Sequence, residues 1–236
     1  ALINFNLVQD GFDGFIIDWR ACHLSQQIND ALLYRLAYLA TADRHLAQDH
    51  VRRILSLETR SPPELVTCLI RQLGDELPDQ GDDFEHLETV LRTEVSADVD
   101  LPQGIKRSDL HWELKVTCLA STLCCLPPGP RLAFILCSVY GASFREATRI
   151  LRVSQTTVRL RFATAVSSLE HYLEPRCEHL DSRNPCHCDN RLEVALKNRF
   201  IDYLYAPAPR TSYRAKRAHG PSELYAHLPI LQPSLN

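Results

Sequence analysis

Residues 141–162 carry two helix-start signals that leave room for only a short turn between them, and this spacing constrains the fold more than any other feature of the chain. Ser143 is followed three residues later by Glu146, the spacing at which a serine and a glutamate cap a helix reciprocally. Ser154 begins a second helical pattern after a turn of about three residues. Two helices joined by so short a turn form a helix-turn-helix.

The second helix of this unit has two different faces. At about 100° per residue, Val158, Phe162, Ala165 and Leu169 share one side, which we predict to pack inward. The other side is polar or small, and in a major groove its hydroxyl and amide groups can contact base edges while arginines contact phosphates. An amphipathic helix that only faces solvent is the open alternative. The predicted DNA-binding residues are Ser154, Gln155, Thr156, Thr157, Arg159 and Arg161.

Helical periodicity recurs along the rest of the chain, whereas strand-like alternation is confined to residues 1–17. The segment from Asp75 to Asp100 holds ten acids and one base, which is typical of a linker with at most one helix, near Phe84 to Arg92. We therefore predict an all-α protein of two small helical domains joined by an acidic linker. The predicted divisions are an N-terminal helical domain (1–73), the linker (74–107), the helix-turn-helix domain (108–173) and a basic, cysteine-containing C-terminal extension (174–236).

The charge of the chain is unevenly distributed. Residues 1–140 carry 12 basic and 20 acidic side chains, whereas residues 141–236 carry 14 basic and 9 acidic ones. Such a division suits a protein that meets a polyanion with one half and a basic partner with the other. A solvated acidic linker that merely keeps the protein soluble would give the same totals.

Several function classes are not expected. No apolar run approaches eighteen residues, and the N-terminal residues lack a signal-peptide pattern, so we expect a cytoplasmic protein with no membrane association. No glycine-rich phosphate loop, serine elbow or zinc-protease motif is present, so we do not expect an enzyme. In a reducing compartment, the nine cysteines are expected to be thiols or ligands.

The stretch from Leu126 to Leu173 resembles region 4 of the extracytoplasmic-function (ECF) sigma factors of bacterial RNA polymerase. The family pattern is a leucine-proline start, an apolar helix, G-x-S-x-x-E, a leucine, a serine and T-V-x-x-R. The residues that fill it in order are Leu126, Pro127, Gly141, Ser143, Glu146, Leu151, Ser154, Thr157, Val158 and Arg161. Upstream, "LYRLAYLATADRHLAQDHV" is similar to the start of region 2, the family's polymerase-binding domain.

This resemblance implies a sigma-factor-like transcription initiation protein that binds core RNA polymerase and recognises the minus-thirty-five promoter element. An anti-sigma factor would be a further partner. Three departures weaken the match. "HVRRILSLETR" after Asp49 has no aromatic residue to hold flipped bases during promoter melting. Few basic residues follow Arg161, and Arg152 stands where the family often has a turn glycine.

A second candidate site lies beyond the helix-turn-helix, in "RCEHLDSRNPCHCDNRL". Cys177, Cys186, Cys188 and His179 supply three thiols and an imidazole, a donor set that suits tetrahedral zinc. A redox-active thiol pair and reduced structural cysteines remain alternatives. Some ECF sigma factors resemble this segment, with an "NPC-x-C" tail before a basic helix. The alternative function is therefore a degenerate sigma-like regulator that acts through protein contacts, with a metal- or redox-responsive cysteine segment.

Overall fold

The computed structural model describes six parts of the chain, at residues 26–57, 61–79, 81, 83–90, 106–202 and 218–228. Within these ranges every regular element is helical, and extended pairing is limited to an isolated backbone bridge between Cys177 and Cys186. The all-α prediction is therefore confirmed for the described residues. The strand-like pattern predicted in residues 1–17 lies outside them.

The described ranges contain ten α-helices: α1 (Gln26–Thr41), α2 (Arg44–Leu55), α3 (Pro62–Glu76), α4 (Phe84–Val90), α5 (Arg107–Cys124), α6 (Pro128–Phe134), α7 (Phe144–Leu151), α8 (Gln155–Leu173), α9 (Leu192–Lys197) and α10 (Pro221–Ala226). A π-helical turn (Ile135–Val139) continues α6, and a 3₁₀ turn (Cys188–Arg191) precedes α9. Local capping explains several starts. Ser61 and Glu64 form a capping box before α3, which has proline at its first position.

The central helix of the fold is α1. Leu36, Ala37, Leu39 and Ala40 are fully buried although they point in different directions around the helix. A helix that is apolar on all sides is stable only when other elements surround it, and α2, α3 and α5 pack against α1. The Tyr38 hydroxyl of α1 lies 3.0 Å from the Thr117 hydroxyl of α5, which satisfies both buried groups.

The N-terminal helices and the helix-turn-helix share one apolar core. Leu69 of α3, Leu123 of α5 and Leu169 of α8 belong to the same cluster of buried side chains. On the surface, the Arg71 guanidinium donates hydrogen bonds of 3.1 Å to two backbone carbonyls near the C-terminal end of α7. The two predicted domains thus pack against one another. Their boundaries, at residues 73–74 and 107–108, stay a prediction.

The described part of the acidic linker includes α4, in agreement with the single linker helix predicted near Phe84. The Phe84 ring packs on Tyr172 of α8 with 4.6 Å between centroids. The Arg176 guanidinium lies over the ring of the same tyrosine, 5.0 Å from its centroid, and near Glu88 of α4. The linker helix therefore lies against the C-terminal half of α8 and leaves the N-terminal half uncovered.

Part of the C-terminal extension is a core element, which the sequence analysis missed. Tyr225 of α10 is fully buried, and its hydroxyl donates a 2.8 Å hydrogen bond to the Leu119 carbonyl of α5. Its ring meets Phe134 edge-on, with centroids 5.2 Å apart. The Arg35 guanidinium of α1 donates to the Tyr225 carbonyl at 3.0 Å. These contacts fix the extension to both α1 and α5.

Candidate nucleic-acid interface and cysteine segment

The first helix of the two-helix unit begins with the predicted capping box. The Glu146 amide donates to the Ser143 hydroxyl at 3.2 Å, and the Ser143 amide donates to a Glu146 carboxylate oxygen at 2.9 Å. Two of the amides that lack a backbone partner at the start of α7 are thereby satisfied. Ala147 and Ile150 point into the core. The local sequence signal is confirmed in full.

The turn between the helices contains a strained residue. Arg152 follows α7 with φ 54° and ψ 38°, the left-handed conformation that favours glycine. Ser154 then caps α8, since its hydroxyl accepts a 3.0 Å hydrogen bond from the Thr157 amide. Arg152, which stands where the resembled family often has a glycine, therefore adopts the conformation that a glycine would adopt without strain.

Relief of this strain should be measurable. We expect Arg152→Gly to raise the free energy of unfolding by about 0.5–1 kcal/mol, because the left-handed conformation costs a non-glycine residue about 1–2 kcal/mol and the added freedom of the unfolded chain offsets part of that gain. Urea unfolding at equilibrium measures the change. Arg152→Ala is the control, since it removes the side chain and keeps the strain. Equal stabilisation by both variants would mean that the side chain and not the backbone is responsible.

The two faces of α8 are arranged as predicted. Val158, Ala165 and Leu169 are fully buried, and Phe162 packs against Phe134 and Phe144 with centroids 6.1 Å and 5.5 Å apart. On the opposite side, the first three turns of α8 are exposed, and the apolar side chain of Leu160 is among the exposed ones. The exposed residues are Gln155, Thr156, Leu160 and Ala163, and Leu160 is 67% exposed.

The two predicted arginines differ in position. Arg159 is exposed, and its guanidinium stacks over the Phe144 ring at 4.7 Å from the centroid. Arg161 is half-buried and lies along the first turn of α6, so that a methyl group added at Gly129 would lie 3.0 Å from the arginine Nε. Stacking on Phe144 thus holds Arg159 on the exposed side of the two-helix unit. Arg161 is partly used in packing against α6.

Three further exposed arginines flank the unit, and none of them is among the predicted DNA-binding residues. Arg145 and Arg149 lie one turn apart on α7, and Arg152 lies in the turn. Residues at i and i+4 share a helix face, so the spacing of Arg145 and Arg149 was a usable signal. In helix-turn-helix proteins the first helix crosses the DNA backbone, and these positions supply positive charge that the second helix lacks.

The cysteine segment folds back on itself beyond α8. The Cys186 amide donates to the Arg176 carbonyl at 3.0 Å, and the Glu178 amide donates to the Cys186 carbonyl at 3.2 Å. These bonds form the parallel bridge between Cys177 and Cys186. The Asn184 side chain donates to the Cys177 carbonyl at 3.0 Å and closes the intervening loop.

The predicted metal-ligand residues are brought together in two pairs. The Cys188 Sγ lies 3.6 Å from the His179 Nε2, and Cys177 faces Cys186 through the backbone bridge. Glu178, which was not predicted, has a carboxylate oxygen that lies with the His179 and Cys188 donor atoms in a group within 4.8 Å of one another. Burial raises the pKa of the Cys177 thiol to about 11 and lowers that of His179 to about 4. Without a bound cation, these groups are therefore neutral.

No family model and no curated protein matches the chain. Among solved structures, the chain is similar to the sigma factor RpoE in its complex with the anti-sigma factor NepR from Bartonella quintana. The similarity covers 62% of this chain and 92% of that chain, at 19% sequence identity and a TM-score of 0.37. At these values the likeness carries no argument about function. Among the described helices, none is long and apolar enough to cross a bilayer.

Proposed function

We propose that this chain is a sigma-factor-like transcription initiation protein, without catalytic activity of its own, which binds core RNA polymerase and recognises promoter DNA through α8. The observation that carries the proposal is the capped two-helix unit. Its second helix follows a short turn, and the polar face at the N-terminal end of that helix is exposed. The family resemblance around Leu126–Leu173 supplies the identity of the partners. The cytoplasm is the compartment in which these partners meet.

The start of α8 supports base recognition. Recognition helices contact base edges with the residues of their first turns. Gln155 and Thr156 are exposed in the first turn of α8, and Leu160 one turn later presents an apolar group of the kind that meets a thymine methyl. A glutamine amide can bind adenine through two hydrogen bonds. Ser154 and Thr157 are engaged with each other, their hydroxyl oxygens 2.8 Å apart, and are better suited to shaping the helix start.

The distribution of arginines on the two-helix unit supports a moderate number of contacts with DNA phosphates. Arg159 is stacked and exposed, and Arg145, Arg149 and Arg152 surround the unit from α7 and the turn. Each neutralised phosphate contributes about −0.9 to the slope of log affinity against log salt. Because Arg161 is partly buried and no further basic residue follows it on the open side, binding should be weak when the protein is separated from polymerase.

We expect Arg159→Ala to weaken binding to every duplex by about 3–10-fold and to reduce the salt slope by about one unit. Thr156→Ala and Gln155→Ala should instead flatten sequence preference at single positions. The measurement is fluorescence anisotropy on duplexes selected from a random-sequence pool, across a salt series. Arg52→Ala is the matched control, because Arg52 is exposed on α2 and pairs with Asp49 at 2.7 Å. If Arg159→Ala and Arg52→Ala bind alike, α8 is not the DNA-binding helix.

The second candidate function is a degenerate sigma-like regulator that acts through protein contacts. It is favoured by the surface of α2, which carries no aromatic residue and exposes Leu46 (51%) beside the Arg52–Asp49 pair. Run-off transcription with purified core RNA polymerase separates the two functions. Polymerase binding followed by initiation on selected promoters supports the first function, whereas binding without initiation supports the second.

A further inference from the structure

We propose that Cys177, His179, Cys186 and Cys188 bind one zinc ion, which joins the chain that follows α8 to the segment that leads into α9. This site goes beyond promoter recognition and does not depend on it. The inference starts from the backbone. The Leu180 and Asp181 amides donate to the Cys177 carbonyl at 3.1 Å and 3.2 Å, so the chain turns directly after Cys177, and Cys188 begins the 3₁₀ turn.

The parallel bridge sets Cys177 against Cys186. Beyond it, the turn after Cys177 and the start of the 3₁₀ turn bring His179 and Cys188 together. The second pairing is visible in the side chains, since the Cys188 Sγ and the His179 Nε2 are 3.6 Å apart. Bond lengths of about 2.3 Å to sulfur and about 2.0–2.1 Å to nitrogen, at a tetrahedral angle, require a sulfur–nitrogen separation of about 3.6 Å. One edge of the tetrahedron is therefore already formed.

The Glu178 carboxylate fits the role of a supporting group better than that of a ligand. One of its oxygens accepts a 2.6 Å hydrogen bond from the Cys188 amide, and the other lies 2.9 Å from the His187 Nδ1. Both oxygens are thus used to hold the Cys186–Cys188 segment in place. Carboxylates that orient the residues around a metal in this way are common at zinc sites. Of the four proposed ligands, His179 and Cys188 belong to the described group of donor atoms within 4.8 Å of one another, and zinc binding would draw in the Cys177 and Cys186 sulfurs. The donor set would then be three sulfurs and one nitrogen.

The surroundings suit a zinc centre with three thiolates, whose net charge would be −1. Lys115 of α5 is buried, and its ammonium interacts electrostatically with Cys177, Cys188 and Glu178. The 3₁₀ turn that begins at Cys188 continues into α9, whose Leu192 packs against Leu110 of α5. A metal at this position would join the end of α8 to a segment that is attached to α5 by this apolar cluster and by Asp189, which lies 3.0 Å from the Arg107 Nε.

The test is the metal content of the full-length protein, purified and then dialysed against zinc and a weak chelator. We expect one zinc per chain in the wild type and in Cys68→Ser, a half-buried cysteine of α3 outside the cluster. Cys186→Ser and Cys188→Ser should each retain less than a tenth of that amount, whereas Glu178→Gln should retain most of it. Substitution with Co²⁺ provides a second measurement, because sulfur–cobalt charge-transfer bands and intense visible bands identify a tetrahedral thiolate site.

Three results would overturn the proposal. The first is a wild-type protein that is folded by circular dichroism and takes up neither zinc nor cobalt. The second is loss of metal from Glu178→Gln with retention in Cys186→Ser, which would exclude the proposed ligands. The third is a metal-free wild type whose mass is two hydrogens lower without reductant, with that difference absent in Cys186→Ser, which would make Cys186 part of a disulfide in place of a metal site. The metal content is independent of DNA binding, so failure here leaves the proposed promoter recognition standing.

Discussion

Replacing Arg131 with alanine should lower the free energy of unfolding by about 3–5 kcal/mol. Arg131 is 3% exposed and serves the ends of two helices at once. Its guanidinium donates to the Ala40 carbonyl in the last turn of α1 at 2.7 Å, and to the Cys124 and Leu126 carbonyls at the end of α5 at 2.7 Å and 2.8 Å. The last carbonyls of a helix have no partner within the helix, so the variant leaves several buried acceptors unsatisfied.

Equilibrium unfolding in urea, followed by circular dichroism and tryptophan fluorescence, measures this loss. Arg131→Lys should lose less, since an ammonium can reach some of the carbonyls without matching the planar fork of the guanidinium. Arg145→Ala on the exposed side of α7 is the matched control and should stay within about 0.5 kcal/mol of the wild type. If Arg131→Ala is no less stable than this control, water reaches the carbonyls and the structural role assigned to Arg131 is incorrect.

The same experiment addresses the predicted domain division. Arg131 belongs to α6, at the start of the apolar helix before the two-helix unit, and it joins α1 of the predicted N-terminal domain to α5. If the shared core makes one cooperative unit, both probes should report one transition, shifted as a whole by the substitution. Two separate transitions, with only one shifted, would instead support independent domains at 1–73 and 108–173.

Features that depend on neighbours in sequence could be predicted from the sequence. The capping serines at 61, 143 and 154 and the strained Arg152 involve contacts within one helical turn, so residue type and spacing determine them. Asp30 shows the limit of such signals, because aspartate is a residue type that favours helix starts and yet this one lies inside α1. A capping residue within a longer helix gives the same local signal as one at its start.

Features that depend on distant residues could not be predicted. Tyr225 contacts Leu119, and Arg161 lies against Gly129. The periodicity of a helix shows which of its faces is buried but not which distant residues that face contacts. The candidate metal site lies between these cases. Its donors were visible as residue types, but the pairing of Cys177 with Cys186 depends on a backbone bridge across a loop. Glu178 was missed for the same reason, since its role comes from the hydrogen bonds it accepts and not from its type.

The ion pair between Arg44 and Glu113 should be the second large contributor to stability. Glu113 of α5 has a side chain only 2% exposed; one of its oxygens pairs with Arg44 at the start of α2. Its other oxygen, Oε2, is buried and has no hydrogen-bond partner among the described residues. Burial raises the pKa of Glu113, and the Arg44 guanidinium opposes that rise. Arg44→Met therefore removes the cation and leaves a buried carboxylate, at an expected cost of about 3–5 kcal/mol at neutral pH.

The pH dependence of this loss identifies its cause. Without Arg44, the folded-state pKa of Glu113 rises further above its unfolded value. The cost of the buried carboxylate is then fully present above the folded-state pKa, and it disappears as the pH falls toward the unfolded value, because the folded protein takes up the proton first. The difference in stability between wild type and Arg44→Met should accordingly shrink between pH 8 and pH 5, as measured by urea unfolding at each pH.

Two variants separate this electrostatic effect from lost packing, since Arg44 also lies over the Tyr38 ring at 4.8 Å from its centroid. Arg44→Met combined with Glu113→Gln should recover most of the loss and show no such pH dependence, because no buried charge remains. Arg52→Met removes one member of the exposed pair with Asp49 and should change stability by less than about 1 kcal/mol at any pH. A loss in Arg44→Met that stays constant with pH and persists in the double variant would assign the contribution of Arg44 to its packing on Tyr38 and not to its charge.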